Sequence, residues 1–449
     1  MTSPIRPLSR GRIAAYAAPA MALAIPTIPV AVMLPTFYAE TFVLPLAAIG
    51  GVLAAARLLD VITDPLAGAI SDRWRGRFGR RKPMMVLGAP LAGLALFMLF
   101  IPPAEVSVPY LAIWASLLYL GWTMIALPYT AWGAELSPDY QDRSRITLAR
   151  EGAQMTGILI AAAIPVMFSA DDWQTGLKLI VIVTLVGGAI SLAVALRVVP
   201  DPVPVHPAHS QTSVKLSLYL QNKPFMRLLS AWLLNGLANG FPTVLFAFFV
   251  THVLGGTDAE RNWLLLLYFG AGVAGVPLWM KLAERVQKHR VWSGAMVFNC
   301  AAFAIAAFLG PGDVPVFAIV CLTTGLALGA DLALPPAIQA DVVDYDTLRS
   351  GRKRAGIYFA FWNMATKFAL AGAVGIAFLS LDILGFDAQA TEQSAAATDG
   401  VIFLYAVMPI LLKFSAIALI YRFPIDADRQ AIIRQRLQQR EDRAERETI

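Results

Sequence analysis

Arg57, Asp60, Thr63 and Asp64 lie in LAAARLLDVITDPLAGAISDRW, a stretch otherwise apolar enough to span a membrane. At i, i+3 and i+7, Arg57, Asp60 and Asp64 share one helical face, with Thr63 beside it. A charge at the bilayer centre costs about 2.5–3.5 kcal/mol on the gentlest scale. Such a face must therefore turn into a protein interior and away from lipid. Two carboxylates one turn apart with a hydroxyl are hard oxygen ligands, suited to Na⁺ or to a shared proton. Arg57 is expected to pair with one carboxylate and leave the other short of a partner. The competing reading is a closed ion-pair cluster that only fixes helix packing.

Three further polar groups interrupt apolar runs. Lys367, in FWNMATKFALAGAVG, lies too deep for easy snorkelling and is expected to reach the aspartate face, linking cation and solute occupancy. Asp331, in TTGLALGADLALPPAIQADVVDYD, sits between a glycine-rich approach and the Pro335–Pro336 break. Such interruptions mark cavities in transporters, so Asp331 is either a solute or coupling contact or an acid lining a wet vestibule. Lys413 lies nine residues before Arg422, where snorkelling explains it. Outside the spans, Asp72, Arg73, Arg80 and Arg81 cluster in SDRWRGRFGRRKP, and Asp341 and Asp344 precede Arg352. Ion pairs among these groups are expected to form a gate that locks one conformation; the plainer reading is that the arginines only set topology.

The elements that position these groups follow from hydropathy. The 449-residue chain is 57% hydrophobic and 15% charged, with a mean hydropathy of +0.62. A spanning helix needs about 20 apolar residues, and twelve such segments occur, the first near 13–38 and the last near 401–421. Lysines and arginines gather on one side, leaving only Lys178 and Arg261 opposite. The positive-inside rule then puts both termini in the cytoplasm, and the location expected is a bacterial inner membrane. The +6 formal charge is thus a topology signal and not a nucleic-acid footprint. The first span is too long for a signal-peptide core and is expected to be retained. The fold class expected is all-α: a six-helix bundle over 1–199, a proline-rich linker over 200–224, a second bundle over 225–424 and a tail over 425–449. The tail has Ile432, Ile433 and Leu437 at helical spacing, which fits an interfacial helix or a solvated tail equally.

No catalytic constellation is present. The four histidines fall in the linker or at span ends, the cysteines Cys300 and Cys321 lie in apolar runs, and the glycine-rich stretches lack a nucleotide-loop lysine. The chain is expected to be a transporter and not an enzyme, without cofactor, driven by a Na⁺ or H⁺ gradient. Its expected partners are a small-molecule solute, the coupling cation and membrane lipid, with no nucleic acid, and it is expected to act as a monomer.

RLLDVITDPLAGAISDRWRGRFGRRKP, LPYTAWGAELSPDYQDRSRITLAR, NKPFMRLLSAWLLNGLANG and QADVVDYDTLRSGRKRAGIYFAFWNMATK together resemble the glycoside-pentoside-hexuronide:cation symporter family, the melibiose-carrier branch of the major facilitators. The resemblance implies twelve helices and alternating access. It implies a cation site at Asp60, Thr63, Asp64 and Thr123, with Thr63 in place of an amide, a coupling lysine at Lys367 and a solute contact at Asn363. It also shows departures. Melibiose-type carriers hold sugar with acids on helices one and four; here helix one has no acid in YAAPAMALAIPTIPV, and Ala126 stands at the second position. Tyr129, Thr130, Asn239, Asp331 and Trp362 are expected to compensate in binding a sugar or glycoside-like solute. Symporters of amphiphilic lipids also lack those acids, so a lipid-like solute is the alternative, and an uncoupled facilitator or exporter a further one.

Overall fold

The computed structural model describes residues 8–73, 79–137, 140–168, 173–200, 221–351, 355–390 and 392–448. The expected linker, 200–224, lies largely outside these residues.

Every described element is helical. Helix α1 (Arg10–Ala24) continues through a π turn (Pro29–Met33) into α2 (Leu34–Phe42) as one span. Then follow α3 (Leu46–Arg73), α4 (Lys82–Phe100), α5 (Val108–Glu135), α6 (Tyr140–Phe168) and α7 (Trp173–Val198). Helix α8 (Lys223–Phe248) also ends in a π turn (Phe249–Val253), so the first and seventh spans share this feature. Helices α9 (Asp258–Arg285), α10 (Lys288–Ala306), α11 (Val314–Ser350) and α12 (Ala355–Ile383) precede the last span, α13 (Ala395–Ile402), a π turn and α14 (Met408–Ile420). Helix α15 (Ala427–Thr448) completes the chain.

Among the described residues, eleven helices are long and apolar enough to cross a membrane. Helix α10, expected as a further span, is not among them; it opens with Lys288, His289 and Arg290, which shortens its apolar run. Isoleucines, leucines, valines and phenylalanines stand exposed along many spans, among them Ile190 and Leu379, as lipid-facing surfaces require.

The chain divides into two compact units. One comprises Met1–Ser210, Thr243–Leu266 and Val374–Gly400; the other comprises Gln211–Pro242, Leu267–Ala373 and Val401–Ile449. The first unit packs around Tyr16, Met85, Tyr129 and Trp132. Small residues let its helices close up, since in lipid association rests on packing and not on the hydrophobic effect. A Cβ on Gly121 of α5 would stand 2.6 Å from the Ala92 nitrogen of α4. The second unit packs around Phe225, Trp292, Tyr358 and Leu334, and Ile433 of α15 joins this core with 7% exposure. The tail is therefore not simply solvated. It docks on the end of α11, where Gln430 Nε2 donates to Asp344 at 2.9 Å and Arg440 to the Leu348 carbonyl at 2.7 Å.

Candidate functional site

Helix α3 sorts its residues by face. Leu58, Leu59, Ile62, Leu66 and Ile70 are exposed, while Leu53, Ala56, Asp60, Ala67 and Ser71 are buried. The first set recurs at helical spacing and faces lipid, so the second, carrying the acids, faces protein. Pro65 lacks an amide hydrogen, so the Val61 carbonyl loses its helical donor; Pro128 does the same to Met124 in α5.

Thr123 of α5, 4% exposed, meets this face. Its hydroxyl donates to Asp64 Oδ1 at 2.9 Å and lies 3.4 Å from Asp60 Oδ1. Gly121 and Met124 contact α4 through Ala92 and Gly88, and that packing turns Thr123 toward α3. Thr63 Oγ1 is buried with no hydrogen-bond partner within the protein. Two carboxylates and the Thr123 hydroxyl thus gather where α3 and α5 meet, a set of hard oxygens that suits a small cation. Arg57, expected on a carboxylate, lays its guanidinium 5.3 Å from the Tyr119 ring centre, a cation–π contact that holds its charge inside the bundle.

The second unit holds a polar cluster that sequence reasoning undervalued. Lys413, expected to snorkel, is 0% exposed. Its ammonium donates to Asn235 Oδ1 at 2.8 Å and Asn239 Oδ1 at 2.7 Å, and lies 3.9 Å from Asp331 Oδ2. Asp331 also accepts from Asn239 Nδ2 at 2.8 Å and from Trp292 Nε1 at 2.7 Å. Asp331 is therefore the anionic centre of a buried network and not a vestibule acid. Asn235 and Asn239, at i, i+4 in an apolar span, were the readable signal. Trp292 carried none.

Other expected contacts take different places. Tyr129 is 3% exposed; its hydroxyl donates to the Tyr16 carbonyl, Tyr16 returns the bond to the Tyr129 carbonyl at 3.1 Å, and the rings stack at 4.8 Å. It clamps α1 to α5 and has no hydroxyl hydrogen left for a solute. Thr130 is exposed on the same helix. Trp362 stacks on Trp232 at 4.5 Å, while Asn363 beside it is exposed and Lys367 half-buried.

Of the gate residues, Arg80 and Arg81 both bond Glu135, Arg81 at 2.6 Å, with a further bond from Arg81 to Ser71 at 3.0 Å. In the second unit Lys288 donates to Asp341 at 2.6 Å, and Arg434 lies 3.5 Å from Asp341 and 3.8 Å from Asp344. Arg352 and the side chains of Asp72 and Arg73 lie outside the described residues. Glu135 and Lys288 are the partners that sequence reasoning missed.

The model of the MFS/sugar transport protein family matches residues 15–427. The symporter YjmB of Bacillus subtilis is 22% identical over 401 residues, 86% of each chain. The inner membrane symporter YicJ of Escherichia coli is 25% identical, covering 84% of this chain and 83% of its own. The sodium-dependent lysophosphatidylcholine symporter 1 of Homo sapiens is 25% identical, covering 88% and 79%. In fold, the chain is similar to a bacterial homologue of the human lysosomal transporter Spinster in an inward-facing, occupied conformation, with TM-score 0.65 at 14% identity over 92% of this chain and 95% of that one. It is similar also to the nucleoside transporter NupG, with TM-score 0.65 at 11% identity over 92% and 100%. The chain belongs to the MFS/sugar transport protein family, with the two-bundle major facilitator fold of a cation-coupled symporter.

Proposed function

We propose that this protein carries a sugar or glycoside-like solute together with Na⁺ or H⁺ by alternating access, with both termini in the cytoplasm of a bacterial inner membrane. What carries this reading is the bond from Thr123 to Asp64, with Asp60 within 3.4 Å, inside membrane-spanning helices. A cation entering this set neutralises charge that hydrocarbon otherwise disfavours. Lys367 senses that change and couples it to solute binding, with Asn363 as a solute contact. The Arg80–Arg81–Glu135 and Lys288–Asp341 pairs hold one gating state and release in the other.

A potential of 100 mV contributes about 2.3 kcal/mol per charge moved, roughly fifty-fold accumulation at one charge per cycle. Uptake into proteoliposomes under an imposed Na⁺ or pH gradient tests this. Gradient-dependent uptake that is lost in Asp60→Asn/Asp64→Asn supports it; uptake indifferent to both gradients overturns it.

A second reading, symport of a lysolipid-like amphiphile, is favoured by the absence of an acid from YAAPAMALAIPTIPV on helix one and at Ala126. The sodium-dependent lysophosphatidylcholine relatives point the same way. Thermal stabilisation by glycosides, uronides and lysolipids, each with and without Na⁺, separates the two.

A further inference from the structure

The flank of the first unit contains a cavity of about 550 Å³ between α1, α4, α5 and α7, lined almost wholly by apolar groups, among them Ala22, Val86, Gly93, Trp122 and Gly188. That is the size of a small-molecule site, yet it lacks the convergent polar groups a hydroxylated solute needs. Along α7 it runs from Thr184 to Leu196, roughly 18 Å at 1.5 Å per residue. One leaflet of hydrocarbon is about 15 Å deep, half of the bilayer core. Val86 and Leu94 of its lining, at 51% and 53% exposure, stand open, so its mouth is toward lipid.

Its two ends differ in charge. At the Leu196 end, Lys82 donates its ammonium hydrogens to the Leu196 and Val199 carbonyls at 2.9 and 3.0 Å, and Arg197 is exposed beside them. Neither end has a charged residue in its lining, but the charge nearest the Thr184 end on α7 is Lys178, six residues away. An apolar channel one leaflet long, with two cations close beyond its Leu196 end, matches a lipid with an anionic head and a single seated chain.

We propose that this groove is a specific site for one acyl chain of an anionic phospholipid from the leaflet on the Lys/Arg-rich side. The chain would fill the space behind α5: Trp122 and Ile125 line the groove, and Thr123 between them bonds Asp64 on the opposite side. Lipid in the groove backs the helix that carries a cation ligand, whichever solute is transported.

The test uses the full chain in phosphatidylcholine nanodiscs titrated with phosphatidylglycerol brominated in its acyl chains, which quenches nearby tryptophan. The chain has 10 Trp, so the groove signal is the difference between wild type and Trp122→Phe. The expected result is a difference signal that saturates at a low mole fraction of phosphatidylglycerol, while brominated phosphatidylcholine gives only a gradual rise. Arg197→Gln is expected to raise half-saturation at least three-fold. Gly188→Leu, whose Cβ would meet only Ala22 at 3.7 Å, is expected to abolish saturation, as is Ala193→Leu on the same wall, each paired with its own Trp122→Phe control. A signal that rises linearly and equally with both lipids, as ordinary annular contact does, overturns the proposal. So does saturation that survives both filling variants in protein with wild-type melting behaviour.

Discussion

Lys413 and Asp331 are joined less by direct contact than through one amide: Asn239 accepts from the ammonium at 2.7 Å and donates to the carboxylate at 2.8 Å, while the charges themselves stand 3.9 Å apart. Removing one member of a buried pair costs about 3–5 kcal/mol, because the other charge is left uncompensated. Lys413→Met is therefore expected to lower the melting temperature more than Lys413→Met/Asp331→Asn does. A double-mutant cycle read by thermal unfolding in detergent checks the ordering; equal losses in the single and double variants contradict it.

Thr123 tests the proposed cation site without altering its charge. Thr123→Val removes a hydroxyl that meets both carboxylates, and is expected to weaken Na⁺ binding about ten-fold, or roughly 1.4 kcal/mol. Thr123→Ser keeps the oxygen and is expected to stay within about three-fold, near 0.7 kcal/mol. The Na⁺ dependence of the melting temperature reads both, since a ligand at free concentration L that binds only the folded state stabilises it by RT ln(1 + L/Kd).

Glu135 receives two arginines, one of them, Arg81, only 6% exposed. A hydrogen bond to a charged group contributes about 1.5–3 kcal/mol, so Glu135→Gln is expected to destabilise the first unit by about that much. Transport is expected to fall as the pair no longer holds its conformation. Arg80→Gln, which leaves the Arg81 bonds in place, is expected to be milder. Proteoliposome uptake beside thermal melting ranks the two.

Gly157 and Gly187 make a matched pair for helix packing. A Cβ at Gly157 of α6 would stand 2.2 Å from the Met21 carbonyl of α1, whereas one at Gly187 of α7 meets nothing within 4 Å. Gly157→Ala is expected to cost several kcal/mol or to abolish folded yield, because backbone would have to move. Gly187→Ala is expected to be neutral or to stabilise by about 0.5–1 kcal/mol, the helical advantage of alanine over glycine. Size-exclusion yield and melting temperature report both.

The docked tail separates hydrophobic from ionic anchoring. Arg434 is 64% exposed where it nears Asp341 and Asp344, and exposed pairs contribute about 0–1 kcal/mol. Ile433, 7% exposed, is worth about 1.5–3 kcal/mol as a fully buried side chain. Ile433→Asp is expected to release α15 to protease while Arg434→Ala leaves it protected. Limited proteolysis of the intact chain distinguishes these outcomes.

The sequence by itself determined the fold class and the acidic face of α3. Spans are legible because hydrocarbon demands about 20 apolar residues with every backbone group bonded inside its own segment. Asp60 and Asp64 were legible because charges at helical spacing have only one tolerable direction to face. Only the tertiary structure decided their partners. Nothing near Lys413 in sequence marks Asn235, 178 residues earlier, as the oxygen beneath its ammonium, and nothing near Arg81 marks Glu135. Tyr129 reads as a polar contact until α1 is seen to take its hydroxyl. Burial cost acts on each residue alone and is written locally; hydrogen-bond pairing depends on which helices lie side by side, and that is settled by packing between segments far apart in the chain.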